Sequence, residues 1–209
     1  TARHFRLPCV VAYGGASQVS LATGSMPRLA MSYGARLEVL AKSGRHNVLK
    51  AKAEALARAA RMFVVQYGIN LDDYGEVLLG AVAEQVQNVP DGLDDLYITC
   101  GSGITASGVL VGIEKYGKNV KRVHLISTAY DRQEKVKATL RRFGVEREFI
   151  YHDLFHTPGF VYEKQQKMRI GGVKLHPQYE AKTMKYLVEH DLNTENALFW
   201  IVGAEPRER

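Results

Sequence analysis

The chain has 209 residues, a net charge of +6 and an apolar fraction of 46%. That suits one large globular domain or two small interleaved ones, with enough apolar material for a sizeable core. The longest uncharged stretches, 7–27 and 96–113, are broken by Gly, Ser and Thr and exclude a membrane span. Cys9 and Cys100 both lie in apolar runs. They read as buried thiols of a reducing, cytoplasmic compartment and exclude a disulfide framework. No secretory signal is visible at Thr1, and "TARHFRL" lacks an initiating Met, so a processed protein or part of a longer chain is expected.

The elements follow in chain order. Residues 10–13 form a short apolar strand, 21–33 a helix with Pro27 near its first turn, and 36–40 a strand. From 46 to 59, Leu49, Ala53, Leu56 and Ala60 give one apolar helical face. Residues 62–66 read as a strand and 74–87 as a helix with Val77, Leu78, Ala81, Val82 and Val86 on one side. A strand at 96–100 runs through a glycine turn into a helix that ends near 116. A strand at 120–127 and a helix at 131–143 follow, the helix closed by Gly144 as a left-handed cap. Residues 148–151 form a strand, 157–175 are less regular, 179–189 form a helix and 197–202 a last apolar strand. Apolar runs alternating with helical patterns predict an α/β fold with mainly parallel sheets.

Basic residues occur singly or in pairs along helices such as 50–61 and 135–142. A solvated helix face explains them better than a nucleic-acid surface, and no aromatic-rich basic motif is present. A positive field would also draw in small anions.

The turn "CGSGITASG" at 100–108 is the main chemical signal. Gly101 and Gly103 permit unusual backbone angles and leave amides uncovered. The following helix adds its unpaired first amides and positive dipole end. Ser102 and Thr105 offer hydroxyl donors. Together these suit a phosphate. Residues 101–106 also match the dinucleotide fingerprint G-x-G-x-x-A, which would mean an NAD(P)-dependent oxidoreductase. That fingerprint needs an acid at the end of the next strand, and 122–127 offers none; Asp131 lies further on. A lone phosphate is the better reading, and a tight turn without a ligand is the plain alternative.

"YITCGSGITASGVLVG", residues 97–112, resembles the phosphate loop of fold-type II pyridoxal-phosphate enzymes. "HPQYEAKTMKYLVEHDLNTENALFWIVGAEP", residues 176–206, resembles the C-terminal segment of the 1-aminocyclopropane-1-carboxylate deaminase and D-cysteine desulfhydrase family. That family reads D-P-x-Y-x-G-K-x-M, then a helix and an apolar strand ending in two glycines. Here His176 replaces the Asp, Ala181 the Gly, and Gly203-Ala204 the glycine pair. More loosely, "SLATGSMPRLAMSYGARLEVL" from Ser20 resembles the loop and helix that hold the substrate carboxylate. Thr23, Gly24 and Ser25, or alternatively Ser17 and Gln18, stand where the family has an Asn-containing motif.

The resemblance implies a tryptophan synthase beta-like fold of two open α/β domains. A smaller domain would span 10–90 and a larger, cofactor-binding one 1–9 and 91–209. It implies pyridoxal 5'-phosphate as cofactor, with Gly101, Ser102, Gly103, Ile104 and Thr105 on the phosphate. Glu180 would face the ring nitrogen, Tyr179 would act in catalysis, and Thr23, Gly24 and Ser25 would bind substrate. From the residues alone, Glu180 is better read as an acid in a helix's first turn, and Tyr179 is as readily a core tyrosine. The family's Schiff-base lysine lies in a G-G-N-K-x-R-like stretch that is not identified in this chain. "TARHFRL" resembles the family's segment just after that lysine, which implies a lysine just before Thr1 or a modified residue left out of the sequence; Lys42, Lys50 and Lys52 are poor substitutes.

The implied activity is that of a deaminase or lyase acting on a small amino acid or related amine, through aldimine and carbanion chemistry. A homodimer is implied as well. A non-catalytic descendant of the fold is the alternative suggested by the missing Lys and Asn. His152 and His156 have i, i+4 spacing, but no third metal ligand is evident and no metal is assigned.

Overall fold

The structure, a computed structural model, describes residues 2–42, 46–65, 75–162, 164–192 and 195–203. These fall into two compact units, one formed by the described residues up to 65 and the other by those from 75 to 203.

The first unit is built on two parallel strands, β1 (Val10–Gly14) and β2 (Arg36–Ala41), paired from Val10 opposite Arg36. The crossover holds α1 (Gln18–Thr23) and α2 (Ser25–Ser32), and α3 (His46–Ala60) follows β2. The helix expected over 21–33 is thus divided. Gly24 takes an extended conformation, φ −67° and ψ 136°, which ends α1 and starts α2. Ser17 and Ser20 form a reciprocal cap at the start of α1, each hydroxyl accepting the other's backbone N–H. The strand expected at 62–66 is not seen in its described part, residues 62–65, whose backbone pairs with no neighbouring strand. Residues 2–9, which sequence assigned to the larger domain, pack in this first unit. The Arg36 N–H donates to the Cys9 carbonyl at 2.9 Å.

The second unit contains α4 (Glu76–Gln85), β3 (Leu93–Cys100), α5 (Ile104–Lys115), β4 (Val120–Ser127), α6 (Gln133–Arg142) and β5 (Ile150–Asp153). A small antiparallel pair follows within the region expected to be irregular, β6 (Arg169–Ile170) and β7 (Val173–Lys174). Then come α7 (Glu180–Glu189) and β8 (Ala197–Trp200). The main sheet has the order β5-β4-β3-β8, and all its pairs are parallel. β3 lies between β4 and β8, so it is buried on both faces, and its stretch 96–100 is apolar apart from Thr99. Gly144, just past α6, has φ +65°, the left-handed conformation expected for it.

The two faces of this sheet differ. One carries Leu96, Ile98, Cys100, Val123 and Leu125 into a large core with residues of α5 and α6. The other presents Tyr97 and Ile126 to Leu187 of α7 in a small core, with Asp95 and His124 buried alongside.

Residues 75–90, assigned by sequence to the smaller domain, belong to this unit because α4 packs on α5. Gly108 and Gly112, one turn apart on α5, make that contact close. A Cβ on Gly112 would stand 2.6 Å from the Ala83 carbonyl oxygen and from Val86 Cγ2. Gly112→Ala is therefore expected to lower stability by about 1–3 kcal/mol. Gly80→Ala, on the facing helix where nothing lies within 4 Å, should raise it by about 0.5–1 kcal/mol. Urea midpoints of the two variants check both signs.

Candidate functional site

The reversal of strand order lies between β3 and β8. β4 continues on one side of β3, while β8 adds on the other. In open parallel sheets the crevice at the carboxyl ends of such strands is where ligands bind, because the flanking connections diverge there. The glycine turn follows β3, and Gly203 follows β8 by three residues.

Gly103 caps α5 with φ +89° and ψ −13°, a left-handed conformation that favours glycine. No side chain among the described residues caps this helix. Its first amides therefore remain to serve an anion beside the turn. Ile104 and Gly103 are buried, while Ser102 and Thr105 are half-buried. Ile104 can thus contribute only its amide, whereas Ser102 and Thr105 keep hydroxyls near the surface. Arg132 donates from Nε to the Gly101 carbonyl at 3.4 Å and adds positive charge at the turn. Sequence reading did not single out this arginine, because it reaches the turn from the loop after β4.

Tyr179 meets the same turn from the other side. A Cβ placed on Gly101 would lie 3.5 Å from Tyr179 Cε1, so the phenol ring rests over the bare glycine. The Tyr179 hydroxyl is 3.4 Å from that of Tyr162. Tyr162 was also missed; it sits in a stretch with no periodicity to place it.

Glu180 is 3% exposed. As the first residue of α7 it could have capped its own helix. Instead its Oε1 accepts the Gly203 N–H at 2.8 Å. Its Oε2 is buried with no hydrogen-bond partner among the described residues. A Cβ on Gly203 would come within 2.7 Å of that oxygen, so glycine there leaves room beside the acid. A buried carboxylate oxygen without a donor costs free energy, so a ligand atom that donates to it would recover that cost. The structure thus brings together Gly101, Ser102, Gly103, Ile104, Thr105, Tyr179 and Glu180 at one end of the sheet.

Thr23, Gly24 and Ser25 form the α1–α2 junction of the first unit. The Thr23 hydroxyl donates back to the Val19 carbonyl at 2.9 Å, and Ser25 is exposed. The Ser17 hydroxyl is engaged in the α1 cap.

Other candidates resolve into structural roles. Cys100 is buried, and burial pushes its thiol up to about 12 against the pull of Arg132 and Lys135, so it is no nucleophile. Asp131 accepts the Gln133 N–H at 2.9 Å, which holds its carboxyl below the usual range. That carboxylate is spent at the start of α6 and is not at the end of β4, where a dinucleotide's ribose would need it. His152 bonds to His124 and Tyr186, whereas His156 bonds to Asp153 at 2.6 Å. The i, i+4 pair is therefore split. No group of three or more metal-ligating side chains is found among the described residues. Nor is any helix among them long and apolar enough to cross a membrane.

No family model matches the chain. It is 24% identical, over 274 aligned positions, to the O-seryl-dTMP PLP-dependent decarboxylase of Salmonella phage ViI, with 98% of this chain and 63% of that protein covered. The chain thus spans under two thirds of that relative's length. Among solved structures it is similar to an ACC deaminase homologue, with a TM-score of 0.68 and 20% identity over 97% of this chain and 67% of that one. Its fold is that of the fold-type II pyridoxal-phosphate enzymes, as the glycine turn and the Tyr179-Glu180 segment imply.

Proposed function

We propose that this chain binds pyridoxal 5'-phosphate at the carboxyl ends of β3 and β8 and forms part of a lyase acting on an amino-acid-like substrate. The observation that supports this best is Glu180 Oε2, a buried acceptor with no donor among the described residues. A protonated ring nitrogen would supply that donor, and the uncapped turn at 101–105 would take the phosphate. The donor set therefore fits the cofactor at both ends. When bound, pyridoxal phosphate acts as an electron sink for charge that develops beside the substrate amine.

The rest is the work of this chain's residues. Backbone amides of 101–105, with the Ser102 and Thr105 hydroxyls, bind the phosphate. Glu180, fixed through Oε1 by Gly203, holds its other oxygen toward a donor. Tyr179, beside Gly101, moves a proton through its hydroxyl, with Tyr162 as hydrogen-bond partner. Thr23, Gly24 and Ser25 hold the substrate carboxylate, on the strength of the resemblance. A homodimer is proposed on the same ground.

The bond broken is proposed as in the deaminases and desulfhydrases, with release of ammonia and a keto acid. The phage relative favours a second reading, loss of the substrate carboxylate as CO₂ from an amino acid carried on a nucleotide. Product analysis separates the two. The cofactor reading is tested by calorimetric titration of the chain with pyridoxal phosphate and with inorganic phosphate. Pyridoxal phosphate should bind at least about a hundredfold more tightly, roughly 2.7 kcal/mol. Equal affinity would remove the ring site.

A further inference from the structure

We propose that Lys182 is a positioning residue that holds Tyr162 against Tyr179. This rests on the reading that Tyr179 borders the cofactor site. Lys182 lies in the first turn of α7 and is 4% exposed. A buried ammonium is costly unless its donors are satisfied. Its Nζ donates to the Tyr162 carbonyl and, at 3.4 Å, to the Val161 carbonyl. The same nitrogen stands 4.9 Å from the Phe160 ring centroid and 5.0 Å from that of Tyr162, within cation–π range. Three consecutive residues are thus gathered on one charge.

That stretch needs such a device. From Leu154 to Met168 the described chain has no helix or strand to set the direction of a side chain. Gln178 Nε2 donates to the same Tyr162 carbonyl. Donors from both sides of Tyr179 in sequence, Gln178 and Lys182, therefore converge on one backbone atom of Tyr162. The α7 N-terminus that presents Tyr179 to the turn also fixes the backbone of its partner. The phenol pair, 3.4 Å apart, is the result. Lys182 acts on the site through Tyr162.

The test uses the full chain with ¹³Cζ-labelled tyrosine and no cofactor. Tyr162→Phe should shift the Tyr179 resonance by removing its hydroxyl partner. Lys182→Met should shift it in the same direction, and the double variant should match Tyr162→Phe alone, since the two changes act in series. Calorimetry with pyridoxal phosphate should show the same non-additivity, each single variant and the double losing about tenfold in affinity. Inorganic phosphate affinity should stay within about twofold in every variant, because the turn at 101–105 is untouched. A Tyr179 resonance unmoved by Lys182→Met, or additive shifts in the double variant, would overturn the role of Lys182. If Lys182→Met does not fold, Gln178→Leu, which removes the other donor to the Tyr162 carbonyl, must move the Tyr179 resonance in the same direction; no shift overturns the clamp. Wild-type protein that binds pyridoxal phosphate no better than phosphate sinks the cofactor reading alone, since the resonance experiment needs no cofactor.

Discussion

Glu180→Gln should weaken pyridoxal phosphate binding by about ten- to a hundredfold, without lowering the stability of the cofactor-free chain. The amide keeps one carbonyl oxygen for the Gly203 N–H, the bond now made at 2.8 Å. Its NH₂ group replaces Oε2, the buried oxygen without a donor among the described residues. A donor then faces whatever ring nitrogen arrives, and the charge that favours its protonated form is gone. A charge-assisted hydrogen bond is worth about 1.5–3 kcal/mol, which gives that range of affinity. Replacing the buried Glu180 oxygen that has no donor among the described residues should leave the urea midpoint of the free chain unchanged or raised, because a site of this kind trades stability for function. Gly203→Ala provides the steric counterpart. Its methyl would stand 2.7 Å from Oε2, in the space a ligand atom needs. Calorimetry with pyridoxal phosphate beside urea melts of the free protein checks both halves. Cofactor affinity unchanged in both variants would mean that Glu180 is only a strand-end brace.

The second large effect is expected beneath α7. Asp95 is fully buried and accepts from Arg122 at 2.6 and 2.7 Å and from His124 Nε2 at 2.9 Å. His124 Nδ1 lies 3.0 Å from His152 Nε2, and His152 Nδ1 lies 3.1 Å from the Tyr186 hydroxyl. With neutral rings only one arrangement of protons satisfies every link. Tyr186 donates to His152, His152 to His124, and His124 to Asp95. Asp95→Ala removes the acceptor at the end of this chain and should cost roughly 2–4 kcal/mol, since the buried His124 Nε2–H is left without it. Arg122 is exposed, so little of that cost comes from its ion pair.

The same chain sets a pH dependence. Burial lowers the His152 pKa first, with the His124 and His190 charges adding to it. A histidine depressed in the folded state is protonated earlier in the unfolded chain. Its contribution to stability is therefore complete above the unfolded pKa of about 6.5 and is lost as pH falls toward the lower, folded value. The slope should reach no more than about 1.4 kcal/mol per pH unit for one proton. His152→Phe should flatten the fall between about pH 7 and 5, read from urea midpoints at constant m. A stability curve indifferent to this substitution would place the acid sensitivity elsewhere.

Much of the second unit was legible because its signals are local. β3 is a buried run, Gly103 and Gly144 mark helix ends, and α7 shows one apolar face over Ala181, Met184 and Leu187. Where two elements meet, the sequence was silent. Nothing in it says that Gly203 donates to Glu180, that Arg132 reaches Gly101, or that Tyr162 lies by Tyr179, since each pair comes together only through the sheet order. The histidines show the same limit from the other direction. Spacing coupled His152 to His156, whereas tertiary packing coupled it to His124, on the neighbouring parallel strand. In the first unit, residues 62–65 have strand composition but join no strand pairing among the described residues, which composition cannot foresee.

The unequal faces of the main sheet bear on how the unit assembles. Stripping α5 and α6 away would bare the large aliphatic surface around Leu96, Ile98 and Leu125, whereas lifting α7 would uncover a smaller apolar patch, Tyr97 and Ile126, beside the polar Asp95, His124 and Thr99. A chain with only the first face covered would present less sticky surface to its neighbours than one with only the second covered. Of the two coverings, the helix that begins at Glu180 is therefore the one whose late docking would leave less apolar surface bare.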